Sequence, residues 1–212
     1  MKLQNYFDLM KQNYSTLPHT VYMSVDGSNE PQRLTLPSSA LSVKFLLTRC
    51  YGQLTAIKIR SVVEIILQPD IELFVDALSV VSGVVHHRKK QIPLVDIGNI
   101  STDMHIRHEE SSPVVVLNVE KNGVDIHVAM NVGHSFSFLD ISDDSLDKHA
   151  LLDLKDLDDF HKKHKITHTA LQDRFIFGGL LVDEVPVYFL DLDDELTKVE
   201  FIELSLLDST LV

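Results

Sequence analysis

The sequence predicts an α+β fold, in which a mainly antiparallel sheet is covered on one face by three to four helices. Three observations lead to this class. Alternating strand patterns with hairpin turns fill the middle of the chain, helical patterns flank them, and strands and helices do not alternate regularly as they would in an α/β protein. No composition break marks a linker in the 212 residues, so one domain over 1–212 is expected. The polar stretch 99–112 is the best boundary if the chain forms two lobes.

The clearest strand pattern lies in residues 113–141. A run rich in valine is followed by Asn122-Gly123 and then by a period-two pattern, in which the apolar residues Val124, Ile126, Val128 and Met130 alternate with Asp125, His127, Ala129 and Asn131. Because Asn and Gly adopt positive φ at low cost, this dipeptide predicts a tight hairpin. Phe136 and Phe138 then restart the alternation. The stretch therefore predicts a meander of three antiparallel strands.

Other strands are predicted near 20–67, 92–97 and 174–190. In the first of these regions the apolar face changes near Arg60-Ser61, which indicates a bulge or a bend. In the last, Gly178-Gly179 allows a bend within an apolar strand.

Helices are predicted near 2–15, 70–86 and 145–165, from apolar residues spaced three and four apart. The first helix either packs on its own domain or docks on a partner. The third has acidic residues early and lysines late, which suits the helix dipole. Residues 197–207 fit either a fourth helix, with Asp193 or Asp194 as its N-cap, or a final strand.

The charge of the chain is acidic and unevenly distributed. The net charge is −12, and from Asp140 onward 18 acidic residues stand against 7 basic ones, a net of −11. Nucleic-acid binding needs a basic surface, so a nucleic acid is not expected as a direct ligand, except through a larger complex. Cys50 is the single cysteine, which rules out an intramolecular disulfide. Since neither a secretory signal nor a long apolar segment is present, a cytoplasmic location is expected.

No motif in the sequence names a reaction: it has no serine elbow, phosphate-binding loop, dinucleotide fingerprint or zinc finger. The first hypothesis is therefore a non-catalytic interaction protein of the assembly, adaptor or inhibitor type, encoded by a phage or mobile element. It would act on a protein partner, or in a homo-oligomer, through an acidic C-terminal surface and without a cofactor. That surface is assigned to Asp191, Asp193, Asp194 and Glu195. The same carboxylates also fit a helix cap or ligands of Mg²⁺ or Ca²⁺.

The alternative hypothesis is a metal-dependent hydrolase with a divalent metal. His161, His164 and His168 are spaced so that they share one face if the helix continues, which is the best metal geometry in the chain. His105 and His108 also share a helical face, but they lack the HExxH arrangement.

A basic cluster follows the predicted helix 70–86. Within it, Arg88, Lys89 and Lys90 are candidates for binding an anion. The alternative is that these cations only stabilise the helix C-terminus through its dipole.

Overall fold

The part of the protein that the structure describes is almost entirely β-structure. The computed structural model describes residues 20–24, 32–35, 43–74, 80–98, 112–141, 151–152, 159, 161–162, 171–182, 185–193 and 196–208. In these ranges the strands form two sheets, and one complete α-helix is present. The predicted α+β class is therefore wrong, because the described residues form two sheets and do not place three to four helices on one sheet.

The first sheet has eight strands. They are β1 (Thr20–Ser24), β2 (Gln32–Thr35), β5 (Val62–Ile66), β6 (Asp70–Leu73), β7 (Val81–His87), β8 (Lys90–Val95), β9 (Val114–Lys121) and β10 (Val124–Asn131). Their order is β2-β1-β5-β9-β10-β8-β7-β6. Pairing is antiparallel except between β1 and β5 and between β8 and β10.

The second sheet has six strands. They are β3 (Val43–Cys50), β4 (Gln53–Lys58), β11 (Ser137–Ile141), β12 (Leu151–Leu152), β13 (Ile176–Val182) and β14 (Val185–Leu190), in the order β11-β3-β4-β14-β13-β12. Only β4 and β14 pair in parallel. A 3-10 turn, Ile59–Ser61, carries the chain from β4 in this sheet to β5 in the other. It lies where the sequence predicts a change of face.

The β9–β10 hairpin confirms the strongest strand prediction, with Lys121 opposite Val124 across the Asn122-Gly123 turn. The predicted third strand of the meander is wrong in its pairing, because β11 pairs with β3 in the six-stranded sheet. The chain turns away after β10 near Gly133, whose N–H donates to the carbonyl of Arg49 over 2.6 Å.

Two of the predicted helices are contradicted. In place of the helix at 70–86 the structure has the antiparallel pair β6 and β7, since the valines at 81, 84 and 85 suit a pleated strand buried on both faces. Within 145–165, Leu151–Leu152 form β12 and pair with β13, whereas Asp159, His161 and Lys162 have helical backbone. The predicted helix 2–15 lies outside the described residues.

The helix that is present is α1, Lys198–Leu207. Its N-cap is Thr197, not Asp193 or Asp194. The Thr197 hydroxyl accepts from the Glu200 N–H, and the Glu200 carboxylate accepts from the Thr197 N–H, which is a capping box. Phe201 and Leu204 face the core, and Leu206 points outward with 81% of its surface exposed.

Buried side chains form one cluster inside each sheet and a larger cluster between the two. Strand β9 contributes to both layers: Val114 and Val116 pack within the eight-stranded sheet, and Val115 and Leu117 pack in the shared cluster. A strand covered on both faces reads as a continuous apolar run, which explains this valine-rich segment. None of the described helical segments has the length and apolar character needed to span a membrane.

Candidate functional site

Two charged side chains are buried where β4 and β14 end side by side. Lys58, the last residue of β4, and Asp191, which follows β14, are each 4% exposed. The Lys58 Nζ lies 2.5 Å from Asp191 Oδ2. Because β4 and β14 are parallel neighbours, their carboxyl ends meet at one edge and bring the two charges together. A buried charge of this kind persists only when it is paired.

Asp193 extends this cluster toward the β9–β10 hairpin. Its N–H donates to Asp191 Oδ1 over 3.1 Å, and its Oδ1 accepts from the Glu120 N–H over 3.3 Å. Burial, followed by the negative charge of Asp191, raises the pKa of Asp193 despite the opposing effect of Lys58. The two remaining acidic residues of the predicted partner surface, Asp194 and Glu195, lie outside the described residues. A partner-binding role for this set stays a prediction.

The segment after Asp193 continues along the same hairpin. Lys121 Nζ donates to the carbonyl of Leu196, and Asp208 Oδ2 accepts from the His127 N–H over 2.8 Å. Strand β10 pairs with β8 only at Ala129 and Met130, so Asp208 takes up a backbone donor that no β8 residue reaches. The sequence analysis missed Lys58 and Asp208, because their partners lie 133 and 81 positions away and no local pattern connects them.

The predicted anion-binding residues form the tip of the β7–β8 hairpin. Arg88 and Lys89 occupy its two-residue turn, and Lys90 begins β8. Arg88 Nη2 donates to Glu64 Oε1 over 2.9 Å, and His87 Nε2 lies 3.3 Å from Glu64 Oε2. No helix precedes these cations, so the interpretation as helix-dipole stabilisation is wrong. Anion binding stays a prediction.

Only His161 of the predicted metal set lies among the described residues. Its Nε2 shares a hydrogen bond of 2.8 Å with the hydroxyl of the buried Tyr188, whose pKa is raised by burial and by Asp173. His164, His168, His105 and His108 lie outside the described residues. In the part of the chain that the structure describes, no three His, Cys, Asp or Glu side chains are close enough to hold a metal ion together. A divalent metal stays a prediction.

The single thiol is placed where it cannot act as a nucleophile at neutral pH. Cys50 is buried at the end of β3, and burial raises its pKa to about 12 although the Thr55 hydroxyl donates to its sulfur over 3.2 Å. The reactive form of cysteine is the thiolate, which is essentially absent at such a pKa.

We compared the sequence and the fold with those of known proteins. No curated protein matches the sequence. Among solved structures, the fold is similar to that of the scaffolding protein TtCheW from Thermoanaerobacter tengcongensis, with a TM-score of 0.52 and 15% sequence identity over 76% of this chain and 91% of that one. At this identity the likeness concerns the fold, and it agrees with the two-sheet β architecture. Residues 44–167, more than half of the chain, match the family model described as CheW-like domain. The chain therefore belongs to the CheW-like domain family.

Proposed function

We propose that this chain is a non-catalytic scaffold that holds partner proteins together. The observation that carries the proposal is family membership, together with a fold shared with a protein named as a scaffolding protein. It agrees with the interaction protein expected from the sequence.

The reactive and charged side chains described above are engaged in contacts within the fold, which supports a non-catalytic function. Asp191 is neutralised by Lys58, His161 bonds to Tyr188, and the Cys50 thiol is buried and protonated. General acid–base or nucleophilic chemistry needs groups that can reach a substrate. These side chains instead stabilise the contacts between strands.

Each sheet offers a surface on which a partner could dock. The edge strand β6 of the eight-stranded sheet ends at Leu73, which is exposed, as is Phe74 directly after it. The edge strand β11 of the six-stranded sheet carries the exposed Phe138. Exposed apolar side chains on strand edges favour contact with another protein. Two such surfaces on different sheets allow one chain to bind two partners at once.

The proposal is tested by isolating the tagged chain from its source cells, identifying the bound proteins and rebuilding the complex from purified parts. We expect a ternary complex in size-exclusion chromatography with light scattering. The variant Leu73→Ser/Phe74→Ser should lose one partner and Phe138→Ser the other. Val124→Ser, which removes an exposed valine from the β9–β10 hairpin, serves as the control and should lose neither. A chain that is isolated without partners, or that binds only one at a time, would refute the scaffold.

The finer proposal of an acidic docking surface is restricted to Asp194 and Glu195. Asp191 is excluded because Lys58 neutralises it, and Asp193 already accepts from the backbone. Reversing the charge of Asp194 and Glu195 should weaken the binding of a basic partner and reduce the salt dependence of that binding. A homo-oligomer, a phage or mobile-element origin and a cytoplasmic location stay predictions.

A further inference from the structure

We propose that the tip of the β7–β8 hairpin, residues 88–90, docks an acidic segment of a partner protein. The inference rests on the proposed function in one respect, namely that the chain binds other proteins. The inference adds which surface binds, namely the hairpin tip, and which chemistry it recognises, namely carboxylates.

The first observation is the backbone of the turn. Three two-residue turns in the described chain have positive φ at both central residues: Tyr51-Gly52 (52° and 78°), Arg88-Lys89 (49° and 65°) and Asn122-Gly123 (55° and 78°). Glycine fills the second position in two of them, as this geometry favours. In the third turn that position is Lys89. A lysine in the left-handed region is strained, and such strain tends to persist where the side chain has a use.

The second observation is the way the tip is held. Arg88 reaches Glu64, which lies on β5 although three strands separate β5 from β7 in the sheet. Glu64 is 7% exposed, and His87 approaches its other oxygen. The tip is thus held against β5 through Glu64, and the charge of Arg88 is neutralised within the fold.

The third observation is the charge that remains. Lys89 and Lys90 are exposed, and among the described residues no carboxylate forms an ion pair with either of them. The nearby Glu72 is already 3.1 Å from His86. Two ammonium groups are therefore exposed next to each other at the tip, on a chain whose net charge is −12.

This combination favours carboxylates on a protein over a nucleic acid. A nucleic acid is drawn to a broad basic surface, and it would be repelled by the acidic remainder of this chain. Two adjacent ammonium groups match a short run of Asp or Glu side chains, each of which needs only one cation. A short acidic segment also needs far less basic surface than a nucleic acid does, so a two-lysine tip is sufficient for it.

The test uses the full chain and a fluorescein-labelled peptide of ten glutamates, with binding followed by fluorescence anisotropy at low salt. We expect Lys89→Gly/Lys90→Gln to weaken binding by about fivefold. The control Lys162→Gln/Lys198→Gln removes the same charge from exposed lysines elsewhere and should leave binding within twofold. Coupling with a carbodiimide, which joins amines to carboxylates in contact, should attach the peptide to Lys89 or Lys90.

Lys89→Gly alone separates docking from folding. It relieves the strained φ, so the melting temperature should rise while peptide binding falls. Equal weakening by the control pair, or unchanged binding by the tip variant, would overturn the proposal. So would a single-stranded DNA oligonucleotide that binds the tip more tightly than the peptide. A tip that fails these tests while the isolated chain still carries partners overturns the docking surface and leaves the scaffold proposal intact.

Discussion

At the scale of single residues, burial decides what each charged side chain does. The sequence analysis singled out Asp191 and Asp193 and assigned them to an exposed acidic surface, as charge runs usually are. The structure buries Asp191 against Lys58 and half-buries Asp193. A charge run carries no information about a cation 133 positions away, so this pairing could not be read from the sequence.

The Lys58–Asp191 pair gives the sharpest prediction for stability. Lys58→Met leaves the Asp191 carboxylate buried without its cation, and we expect the free energy of unfolding to fall by about 3–5 kcal/mol. The double variant Lys58→Met/Asp191→Leu removes both charges and should lose less than either single variant. Urea unfolding followed by circular dichroism measures these differences, with Lys198→Met as an exposed control that should change little. Additive losses in the double variant would contradict the pairing.

Replacing Asp193 by Asn should increase the stability of the protein, by an amount that depends on pH. Its folded pKa is raised above the unfolded value, first by burial and then by Asp191. Its ionisation therefore opposes folding, and this penalty grows as the pH rises through the raised pKa. Asp193→Asn keeps an oxygen that can accept from the Glu120 N–H, and it should be more stable than the parent at pH 7. The advantage should vanish near pH 3, where both side chains are neutral, and thermal unfolding at the two pH values would show it. An advantage that is equal at both pH values would contradict the titration of Asp193.

At the scale of elements, the sequence predicts the β9–β10 turn correctly, but it leads to the wrong N-cap for α1 and to wrong choices between helix and strand. Asn122-Gly123 identified the β9–β10 hairpin, because its backbone requirement is local. Thr197 and Glu200 have the spacing of a capping box, a signal that could have decided between helix and strand for 197–207. The apolar spacing in 70–86 fits both periods, and only pairing of β7 with β6 and β8 selects the strand.

The capping box predicts the acid sensitivity of α1. Burial acts to raise the pKa of Glu200, but hydrogen bonds from Arg174 and Thr197 outweigh it and lower the pKa from 4.5 to about 2. The contribution of Glu200 to stability is therefore complete above about pH 4.5 and is lost as the pH falls toward 2. Glu200→Gln should cost about 1 kcal/mol at pH 7. The difference from the parent should shrink between pH 4.5 and pH 2 in urea unfolding, and a difference that is independent of pH would exclude this role.

The pairing of β6 with β7 depends on the absence of a side chain at Gly83, because the two backbones approach closely there. A Cβ at Gly83 would lie 2.3 Å from the Glu72 carbonyl oxygen, in the strand that pairs with β7. Gly83→Ala should therefore displace β6 and cost about 2 kcal/mol. The control Gly123→Ala meets no atom within 4 Å and should cost about 1 kcal/mol from its positive φ alone. Hydrogen exchange should quicken at β6 in Gly83→Ala and not in the control. Unchanged protection of the β6 amides in Gly83→Ala would show that the added methyl group does not displace β6, and it would contradict this prediction.

At the scale of the whole molecule, the distribution of the strands between the two sheets could not be predicted from the sequence. Neighbours such as β5 and β9, or β4 and β14, are far apart in the chain, and their pairing follows from packing rather than from local pattern. Residues 99–111, most of the predicted boundary between two lobes, lie outside the described residues, so that division stays a prediction. The structure instead shows a cluster of buried residues common to both sheets and α1.

Polar contacts reinforce this shared cluster. The hydroxyl of Tyr51, in the β3–β4 turn, donates to the carboxylate of Asp96, which follows β8 in the other sheet. The Gly98 N–H donates to the same carboxylate oxygen over 2.7 Å, and Gln172 donates to the carbonyl of Gly98 over 2.9 Å. The end of β8 is thereby tied both to the six-stranded sheet and to the segment that leads into β13.

A core shared in this way predicts that the two sheets unfold together. Exposing the inner face of β9 also exposes side chains of β14, since Val115 and Tyr188 belong to the same cluster. Hydrogen exchange measured by mass spectrometry should therefore give the same opening free energy for the central amides of β9 and β14. Tyr51→Phe, which removes one tie between the sheets, should lower both values equally. If β14 exchanged through a separate opening of lower free energy, the sheets would be independent units, and a scaffold could then change the angle between its two docking surfaces. Equal values would mean that partners on the two sheets are held at one fixed geometry.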